Sequence, residues 1–269
     1  MAQGAVGLQF YPNSCSLMIR KLVQWRHNSF LTPFCTLSLF AKSTEQSQVA
    51  TTSASKVAHH LPFSGLVLDD IFVGYLFGKK KTTEVAHLVW RQVIQKGDTL
   101  VDATCGNGYD TLAMAKMIVD SSYNGHVCSM DVQKVALENT SALLNECLTP
   151  EEKRLVELFD ICHSKMEEVV PKGVPVRLVA FNLGYLPGSD KAIITRPETT
   201  LQALEAAKRL LAPGGLISIV VYIGHPGGRE EFEAIEGFAA ALPAESWICS
   251  KLRMLNRPVA PILVLLFKR

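Results

Sequence analysis

The amino-acid sequence predicts an α/β fold with a mostly parallel sheet and helices on both of its faces. Two observations support this prediction: short apolar runs alternate with helical patterns, and glycines follow the first of these runs at a strand-to-helix turn. The 269 residues suffice for one domain of about 200 residues and an extension. No apolar run reaches the about 18 residues of a membrane span, so we expect no membrane partner.

The first predicted strand covers residues 99–103, and a helix follows over residues 111–118. Gly106 and Gly108 lie on the turn between them. Glycine permits positive φ and leaves room for a ligand at the backbone, while the first N–H groups of the helix favour a carboxylate or phosphate. Because position 111 is Thr, the third glycine of the dinucleotide fingerprint is absent, and NAD is not expected. The alternative is ordinary strand–turn–helix packing.

A second strand is predicted over residues 126–131 and ends in Asp131, 23 residues after Gly108. In nucleotide-binding α/β sheets, a carboxylate at this place accepts hydrogen bonds from the ribose hydroxyls. We therefore expect Asp131 to bind a ribose. The alternative is an ordinary aspartate that caps the helix after the strand.

The remaining pattern continues the alternation of strands and helices. A helix is predicted over residues 83–94 with Thr82 as its cap, and another over residues 199–211 that stops at 212–215. The last two strands lie close together and favour an antiparallel hairpin. The further strands are predicted at residues 156–161, 177–183, 216–222, 247–254 and 262–267.

The first 60 residues differ in composition from the rest of the chain. They contain five basic residues, one acidic residue and many Ser and Thr, which is typical of organelle transit peptides. We expect these residues to direct the chain to the chloroplast. The alternatives are import into the mitochondrion and a disordered tail with no targeting function. The predicted domains are therefore residues 1–60 and 61–269.

Six features of the chain carry a resemblance to a known family: VDATCGNGYDT (101–111), Asp131, DICHS (160–164), NLGYLP (182–187), YIGHPGGREE (222–231) and NRPVAP (256–261). With these features the core resembles S-adenosylmethionine-dependent methyltransferases of the bacterial rRNA methylase family, from about Thr82 to the end of the chain. The family implied is the tRNA 5-aminomethyl-2-thiouridine methyltransferases, which complete the 5-methylaminomethyl group of wobble uridine 34. The resemblance implies an organellar member with a Rossmann-like class I methyltransferase fold of seven strands.

This resemblance implies S-adenosylmethionine as cofactor, bound at the carboxyl ends of the strands. The glycine turn would hold the methionine half, Asp131 and Gln133 the ribose, and the residues after the third strand the adenine. His163 would stack on the adenine or bond to it, with a structural histidine as the alternative. The implied cofactor residues are Asp102, Thr104, Gly106, Asn107, Gly108, Asp110, Thr111, Asp131, Gln133, His163, Ser164 and Asn182.

NLGYLP stands where amino-methylating enzymes of this fold carry Asn/Asp-Pro-Pro-aromatic. Methyl transfer from a sulfonium needs an aligned nitrogen lone pair and acceptors for the amine hydrogens, and Asn182 Oδ1 and the Leu183 carbonyl suit that role. Tyr185 would stack on the base, or else pack inward in a plain strand-to-turn transition. The implied catalytic residues are Asn182, Tyr185 and His225, with His225 as proton acceptor. The implied substrate residues are Leu183, Gly184, Tyr185, Leu186, Pro187, Tyr222, Gly224, His225, Gly227 and Gly228.

The net charge of the core indicates that an RNA-binding surface must be a local basic patch. The first 60 residues hold five of the 27 basic and one of the 25 acidic residues, which leaves the core 22 and 24, a net charge of −2. To bind a tRNA anticodon loop, the protein surface therefore needs a cluster of basic residues. The candidates are Lys79, Lys80 and Lys81 together with Lys251, Arg253, Arg257, Lys268 and Arg269.

Other functions remain open from the residues alone. The same scaffold suits an rRNA or small-molecule methyltransferase, or a non-catalytic organelle RNA-binding protein. The seven cysteines show no close CxxC pair, so no metal is expected. The oligomeric state is open, and a homodimer is compatible with the sequence.

Overall fold

The computed structural model describes residues 69–120, 122 and 124–269, which contain a seven-stranded sheet of order β3-β2-β1-β4-β5-β7-β6. The predicted N-terminal segment 1–60 and its boundary lie outside the described residues. The strands are β1 Thr99–Asp102, β2 His126–Asp131, β3 Val156–Asp160, β4 Val176–Leu183, β5 Leu211–Val221, β6 Trp247–Leu252 and β7 Ile262–Lys268. The helices are α1 Asp69–Leu76, α2 Thr82–Val93, α3 Tyr109–Ile118, α4 Lys134–Cys147, α5 Pro150–Lys153, α6 Pro197–Leu210 and α7 Gly228–Ala240, with a 3-10 helix at His163–Glu168.

Strands β1 to β5 run parallel, and β7 lies antiparallel between β5 and β6. The seven-stranded, mostly parallel sheet with an antiparallel C-terminal pair is therefore confirmed. Strand β1 lies between β2 and β4, where the winding of the chain reverses. Ligands of open α/β sheets bind outside the carboxyl ends of the strands at such a point.

Helices cover both faces of the sheet, as predicted. Along β4, Leu178 and Ala180 face the core under α1, α2 and α3, while Val179 and Phe181 face the core under the 3-10 helix, α6 and α7. This alternation explains the continuous apolar run of the strand, because both of its faces are buried.

The amphipathic helices follow from their spacing. In α6, Thr200, Ala203, Leu204 and Ala207 are buried at intervals of three and four residues, which places them on one side of the helix. Helix α4 instead packs on α3, where Leu144 joins a small apolar cluster. None of the described helices has the length and apolar character needed to cross a membrane.

Several predicted boundaries differ from the observed ones, and for two of them the contacts give the reason. Helix α2 begins at Thr82 rather than after it, since the Lys81 N–H donates to Glu84 Oε2 over 2.8 Å and Thr82 Oγ1 donates instead to the Pro261 carbonyl over 3.3 Å. The predicted stop at 212–215 lies inside β5 as a bulge, because both Leu211 and the chain beyond residue 215 pair with β4.

Candidate active site

The turn after β1 brings Gly106 and Gly108 to the carboxyl end of the sheet. Both have positive φ, +53° and +84°. A Cβ at Gly106 would meet only Leu186 Cδ1, at 3.5 Å, and Thr104 O, at 3.9 Å. A Cβ at Gly108 would lie 2.9 Å from the backbone of Thr140 in α4. Packing on α4 therefore already requires glycine at position 108, and contact of either glycine with a ligand stays a prediction.

The N-terminus of α3 faces this turn without a side-chain cap. Its first N–H groups have no intrahelical partners and suit an anionic group such as a carboxylate. Asn107 does not supply the cap, because its Oδ1 accepts a hydrogen bond from Asn139 Nδ2 over 2.9 Å.

Asp131 at the end of β2 is held by backbone donors. Its Oδ2 accepts the Gly106 N–H over 3.1 Å and its Oδ1 accepts the Gln133 N–H over 2.9 Å. Burial raises the pKa of the carboxyl, and these donors oppose that effect. The Val132 N–H is a further backbone donor to this carboxylate, so about one of its four acceptor positions is left for a ligand hydroxyl. The Gln133 side chain accepts a hydrogen bond from Ser189 over 3.1 Å.

Asp102 and Thr111 lie behind the turn rather than at its open side. Both are buried, and the Thr111 hydroxyl donates to Asp102 Oδ2 over 2.6 Å. Asp102 Oδ1 accepts the Thr104 N–H over 3.2 Å, and the Thr104 hydroxyl accepts the Asn182 N–H over 2.7 Å. Burial, helped by Asp110, raises the pKa of Asp102 to about 7. These groups join β1 to β4.

His163 lies beneath the site with its ring edge against Phe181, 5.9 Å between ring centres. Burial lowers its pKa to about 4, and a hydrogen bond to the Ala103 backbone opposes that effect. Its Nε2 is buried and has no partner among the described residues. Ser164 Oγ donates to Cys162 Sγ over 3.2 Å.

Asn182, near the end of β4, contacts the carboxylate of Asp110 through its amide nitrogen, over 3.2 Å. The other carboxylate oxygen lies 2.6 Å from His87 Nε2. A carboxylate only accepts, so the NH₂ group of Asn182 and the Nε2–H of His87 must both point toward it. The Oδ1 of Asn182 is left as an acceptor. His87, in α2, was not predicted as a site residue.

The segment 184–195 folds back over the glycine turn. The Gly184 N–H donates to Thr195 Oγ1 and the Thr195 N–H donates to the Gly184 carbonyl, each over 3.0 Å. Leu186 is buried against Gly106, whereas the Tyr185 side chain is 39% exposed and has not packed inward. Pro187 is exposed on this segment.

Glu231 holds the segment 184–195 in place through a hydrogen bond to Thr195. It is fully buried, and its two oxygens accept the hydroxyls of Thr195 over 2.8 Å and Thr200 over 2.6 Å. Burial raises the pKa of its carboxyl, and the two hydroxyls oppose that effect. Glu230 and Glu231 are adjacent acids in the first turn of α7, where acids favour the helix dipole. Only Glu230 is exposed there, and Glu231 is a buried structural carboxylate.

His225, in the loop between β5 and α7, has a defined tautomer. Its Nδ1 lies 2.9 Å from the Pro226 carbonyl and must therefore carry the hydrogen. Its Nε2 is buried without a partner among the described residues, and it lies 3.6 Å from the Cβ position of Gly184. The ring centre is 6.2 Å from that of Tyr185. Nε2 thus lies between Gly184 of the NLGYLP segment and Gly228 of its own loop, whose Cβ position is 3.0 Å away.

Contacts and backbone angles within this loop explain why glycine occupies several of its positions. A Cβ at Gly228 would lie 2.4 Å from the Tyr222 carbonyl, and Gly227 has a φ of +85° at the start of α7. A Cβ at Gly224 would touch Val259 at 3.4 Å. Contacts within the loop therefore already require glycine at position 228, and the approach of substrate to these glycines stays a prediction. Burial, and then Asp110, raise the pKa of Tyr222.

Comparison with known proteins identifies the family. Residues 127–268, more than half of the chain, match the family described as putative rRNA methylase. The chain belongs to this rRNA methylase family.

Relatives in the rRNA methylase family cover most of the described residues. A chloroplastic tRNA (mnm5s2U34)-methyltransferase of Arabidopsis thaliana is 60% identical over 222 residues, which are 82% of this chain and 80% of that protein. A structure described as a putative rRNA-methylase, from Clostridium thermocellum, is 37% identical with a TM-score of 0.65, covering 71% of this chain and 98% of that one. A protein described as a putative methyltransferase, from Streptococcus mutans and solved in complex with SAH, is 30% identical with a TM-score of 0.61, covering 71% and 99%.

In this methylase, several of the side chains predicted from sequence lie together at the carboxyl ends of the parallel strands. Asp110, Asn182 and Tyr222 form one group, joined to the Tyr185 and His225 pair through Gly184. His87 completes the arrangement from outside the matching segments, whereas Glu231 is the last residue of the segment 222–231. A histidine on an amphipathic helix gives no sequence sign of which carboxylate it will meet.

Proposed function

We propose that this chain transfers a methyl group from S-adenosylmethionine to the primary amine of 5-aminomethyl-2-thiouridine at wobble position 34 of tRNA. The name of the Arabidopsis relative and the SAH in the S. mutans structure support this assignment. The observation that carries it is the orientation of Asn182, whose Oδ1 is free to accept because its NH₂ group faces Asp110.

The residues at the carboxyl ends of β1 and β2 fit S-adenosylmethionine. The uncapped start of α3 suits its carboxylate, the acceptor position left on Asp131 suits a ribose hydroxyl, and the unpartnered Nε2 of His163 offers a polar contact to an adenine. When bound, the cofactor supplies an electrophilic methyl group on a positively charged sulfonium.

The chain's own contribution to transfer is alignment of the amine. A primary amine that attacks in line must keep its lone pair directed at the methyl carbon, so its hydrogens need acceptors placed to the side. Asn182 Oδ1 is one such acceptor, and its direction is fixed by the contact with Asp110. The backbone of Leu183, whose side chain is buried, provides the second candidate.

The amine must also lose a proton. An alkyl amine resembling lysine has a pKa of about 10.4, so its neutral form costs about 4–5 kcal/mol at pH 7. Removal from water lowers that cost. His225 Nε2 is the proton acceptor in this proposal, since its lone pair is free and its other nitrogen is fixed on Pro226.

The wobble nucleotide is a suitable target because it lies in a single-stranded loop and its base is exposed with little unpairing cost. Tyr185 presents a half-exposed ring next to His225, with Lys191 Nζ 5.6 Å from its centre. An aromatic surface beside a cation supports stacking of an extruded base on Tyr185 in this proposal.

We also propose that residues 1–60 direct the chain to the chloroplast. The supporting observations are their five basic residues against one acid and the chloroplastic relative. The test is a fluorescent fusion of the full chain, compared with one lacking residues 1–60. Fluorescence in plastids that is lost on deletion supports the address, and fluorescence in mitochondria contradicts it.

The enzymatic proposal is tested by incubating the full chain with labelled S-adenosylmethionine and either tRNA or rRNA, followed by nucleoside mass spectrometry. The tRNA carries 5-aminomethyl-2-thiouridine at position 34. Label in 5-methylaminomethyl-2-thiouridine supports the proposal. Label in rRNA alone, or cofactor binding without transfer to either RNA, contradicts it.

A further inference from the structure

We infer that a turn–loop surface, formed by residues 76–81 between α1 and α2 and residues 253–259 between β6 and β7, binds the RNA strand next to the target nucleotide. This inference rests on the proposed function. It assigns the RNA contact to two segments far apart in sequence.

The two segments are in direct contact. The guanidinium of Arg257 covers Gly78, where a Cβ would lie 2.6 Å from Nη2, and Gly78 has a φ of +68°. The Thr82 hydroxyl donates to the carbonyl of Pro261 over 3.3 Å. These contacts hold the loop against the turn, so the surface is continuous.

The surface carries cations without acidic partners. Lys79, Lys81, Arg253 and Arg257 are exposed, and none of them forms an ion pair within the described part of the chain. Lys80 differs, because it pairs with Glu84 over 3.0 Å. Free cations close together suit a phosphate backbone.

Two other basic residues predicted as RNA candidates are engaged within the protein. Lys268 Nζ donates to the carbonyls of Lys208 and Leu211, over 3.2 and 2.6 Å, and Lys251 pairs with Glu236. Arg269 is exposed, but it follows β7 where that strand pairs with the first part of β5, so it lies toward the amino ends of the parallel strands. In a core of net charge −2, the turn–loop surface is therefore the basic patch among the predicted candidates that lies near the candidate active site.

Large apolar side chains stand among these cations. Phe77 is 72% exposed and Leu255 is 96% exposed, with Leu76 and Val259 also exposed. Proteins that bind single-stranded RNA combine basic residues with aromatic rings on which bases stack. The mixed composition therefore favours an unpaired RNA strand over a purely electrostatic partner.

The surface is continuous with the candidate active site. Val259 lies 3.4 Å from the Cβ position of Gly224, the residue before His225. A strand bound along Arg257 and Val259 thus leads to the loop that carries the proposed proton acceptor. This continuity points to the nucleotides beside position 34 as the occupant.

The test is binding of a fluorescent anticodon stem–loop to the full chain at several salt concentrations. We expect Arg253→Gln/Arg257→Gln to weaken binding at least tenfold and to reduce the slope of log Kd against log salt by about 2. Phe77→Ala should weaken binding about tenfold with little change of slope. In methyl-transfer assays, the KM for tRNA should rise by a larger factor than kcat falls.

The matched control is Lys172→Gln/Arg154→Gln, which removes two exposed cations from the segments before β4 and β3, at the opposite edge of the sheet. The control should bind the stem–loop like the wild type. Equal binding by the control and the turn–loop variants overturns the inference, as does a wild type that binds no stem–loop. If the wild type binds through these residues but methylates no tRNA, the proposed function fails and the surface stands.

Discussion

The amide nitrogen of Asn182 lies 3.2 Å from Oδ2 of Asp110, and this contact decides which way the amide faces. Without it, the oxygen and nitrogen of the amide would be interchangeable. With it, Oδ1 is the atom presented at the carboxyl end of β4. Asp110 is itself held by His87, 2.6 Å from its other oxygen.

His87 therefore acts as a positioning residue for Asn182, and its replacement should affect kcat more than tRNA binding. We expect His87→Phe to lower kcat about tenfold, because Asp110 loses a donor and gains freedom to turn. His87→Gln keeps a donor amide and should retain most activity. Steady-state kinetics of both variants check this, and an equal loss in both would show that donation to Asp110 is not the cause.

Glu231 should stabilise the segment 184–195 through Thr195. Glu231→Leu leaves the hydroxyls of Thr195 and Thr200 without their acceptor in the core, and we expect unfolding to become easier by about 2–4 kcal/mol. Glu231→Gln retains an acceptor and should cost about 1 kcal/mol. Urea unfolding measures both, and a Gln variant as unstable as the Leu variant would contradict this account.

Asp102 should make folding stability depend on pH. Its pKa is raised from 3.8 to about 7 by burial, so the folded chain keeps a proton that the unfolded chain releases. The contribution of the protonated Asp102 carboxyl to the free energy of unfolding is complete below pH 3.8 and is lost as the pH rises through 7.

Asp102→Asn removes this titration and keeps the shape of the side chain. We expect the variant to gain stability relative to the wild type between about pH 5 and about pH 8, by at most about 4 kcal/mol. Thermal unfolding without cofactor at both pH values is the measurement. A difference between the two proteins that stays constant with pH would rule out a raised pKa at Asp102.

Gly108 and Gly173 form a matched pair for testing the turn. Both have positive φ, +84° and +77°, but a Cβ would meet the Thr140 backbone at Gly108 and nothing within 4 Å at Gly173. Gly173→Ala should cost about 1 kcal/mol from backbone conformation alone. Gly108→Ala should cost at least about 2 kcal/mol more, because α4 must move. Similar losses in urea unfolding would show that packing on α4 is not what requires the glycine.

The sheet could be predicted from sequence because both faces of β4 are buried. Burial of both faces requires a continuous run of apolar residues, and turn residues mark the ends of that run. The start of α2 could not, because the choice between Thr82 and Lys81 as cap depends on Pro261, which is distant in sequence. The same applies to Glu231, whose place at the start of α7 looks like ordinary dipole compensation.

The candidate site was predictable at Asp131 and Asn182, since each follows a strand whose carboxyl end lies at the reversal of winding. The inward orientation of Asp102 was not predictable, because it depends on the hydroxyl of Thr111 one turn into the next helix. Sequence places residues at an edge of the sheet, while the direction of each side chain follows from partners elsewhere in the chain.

The most direct test of the central claim is kcat for methyl transfer to tRNA carrying 5-aminomethyl-2-thiouridine by Asn182→Ala. If Asn182 Oδ1 aligns the amine, kcat should fall on the order of a hundredfold. The melting temperature and the Kd for the anticodon stem–loop should stay close to those of the wild type. A variant that is folded, binds the RNA and turns over at the wild-type rate would contradict the assignment of Asn182 as the acceptor.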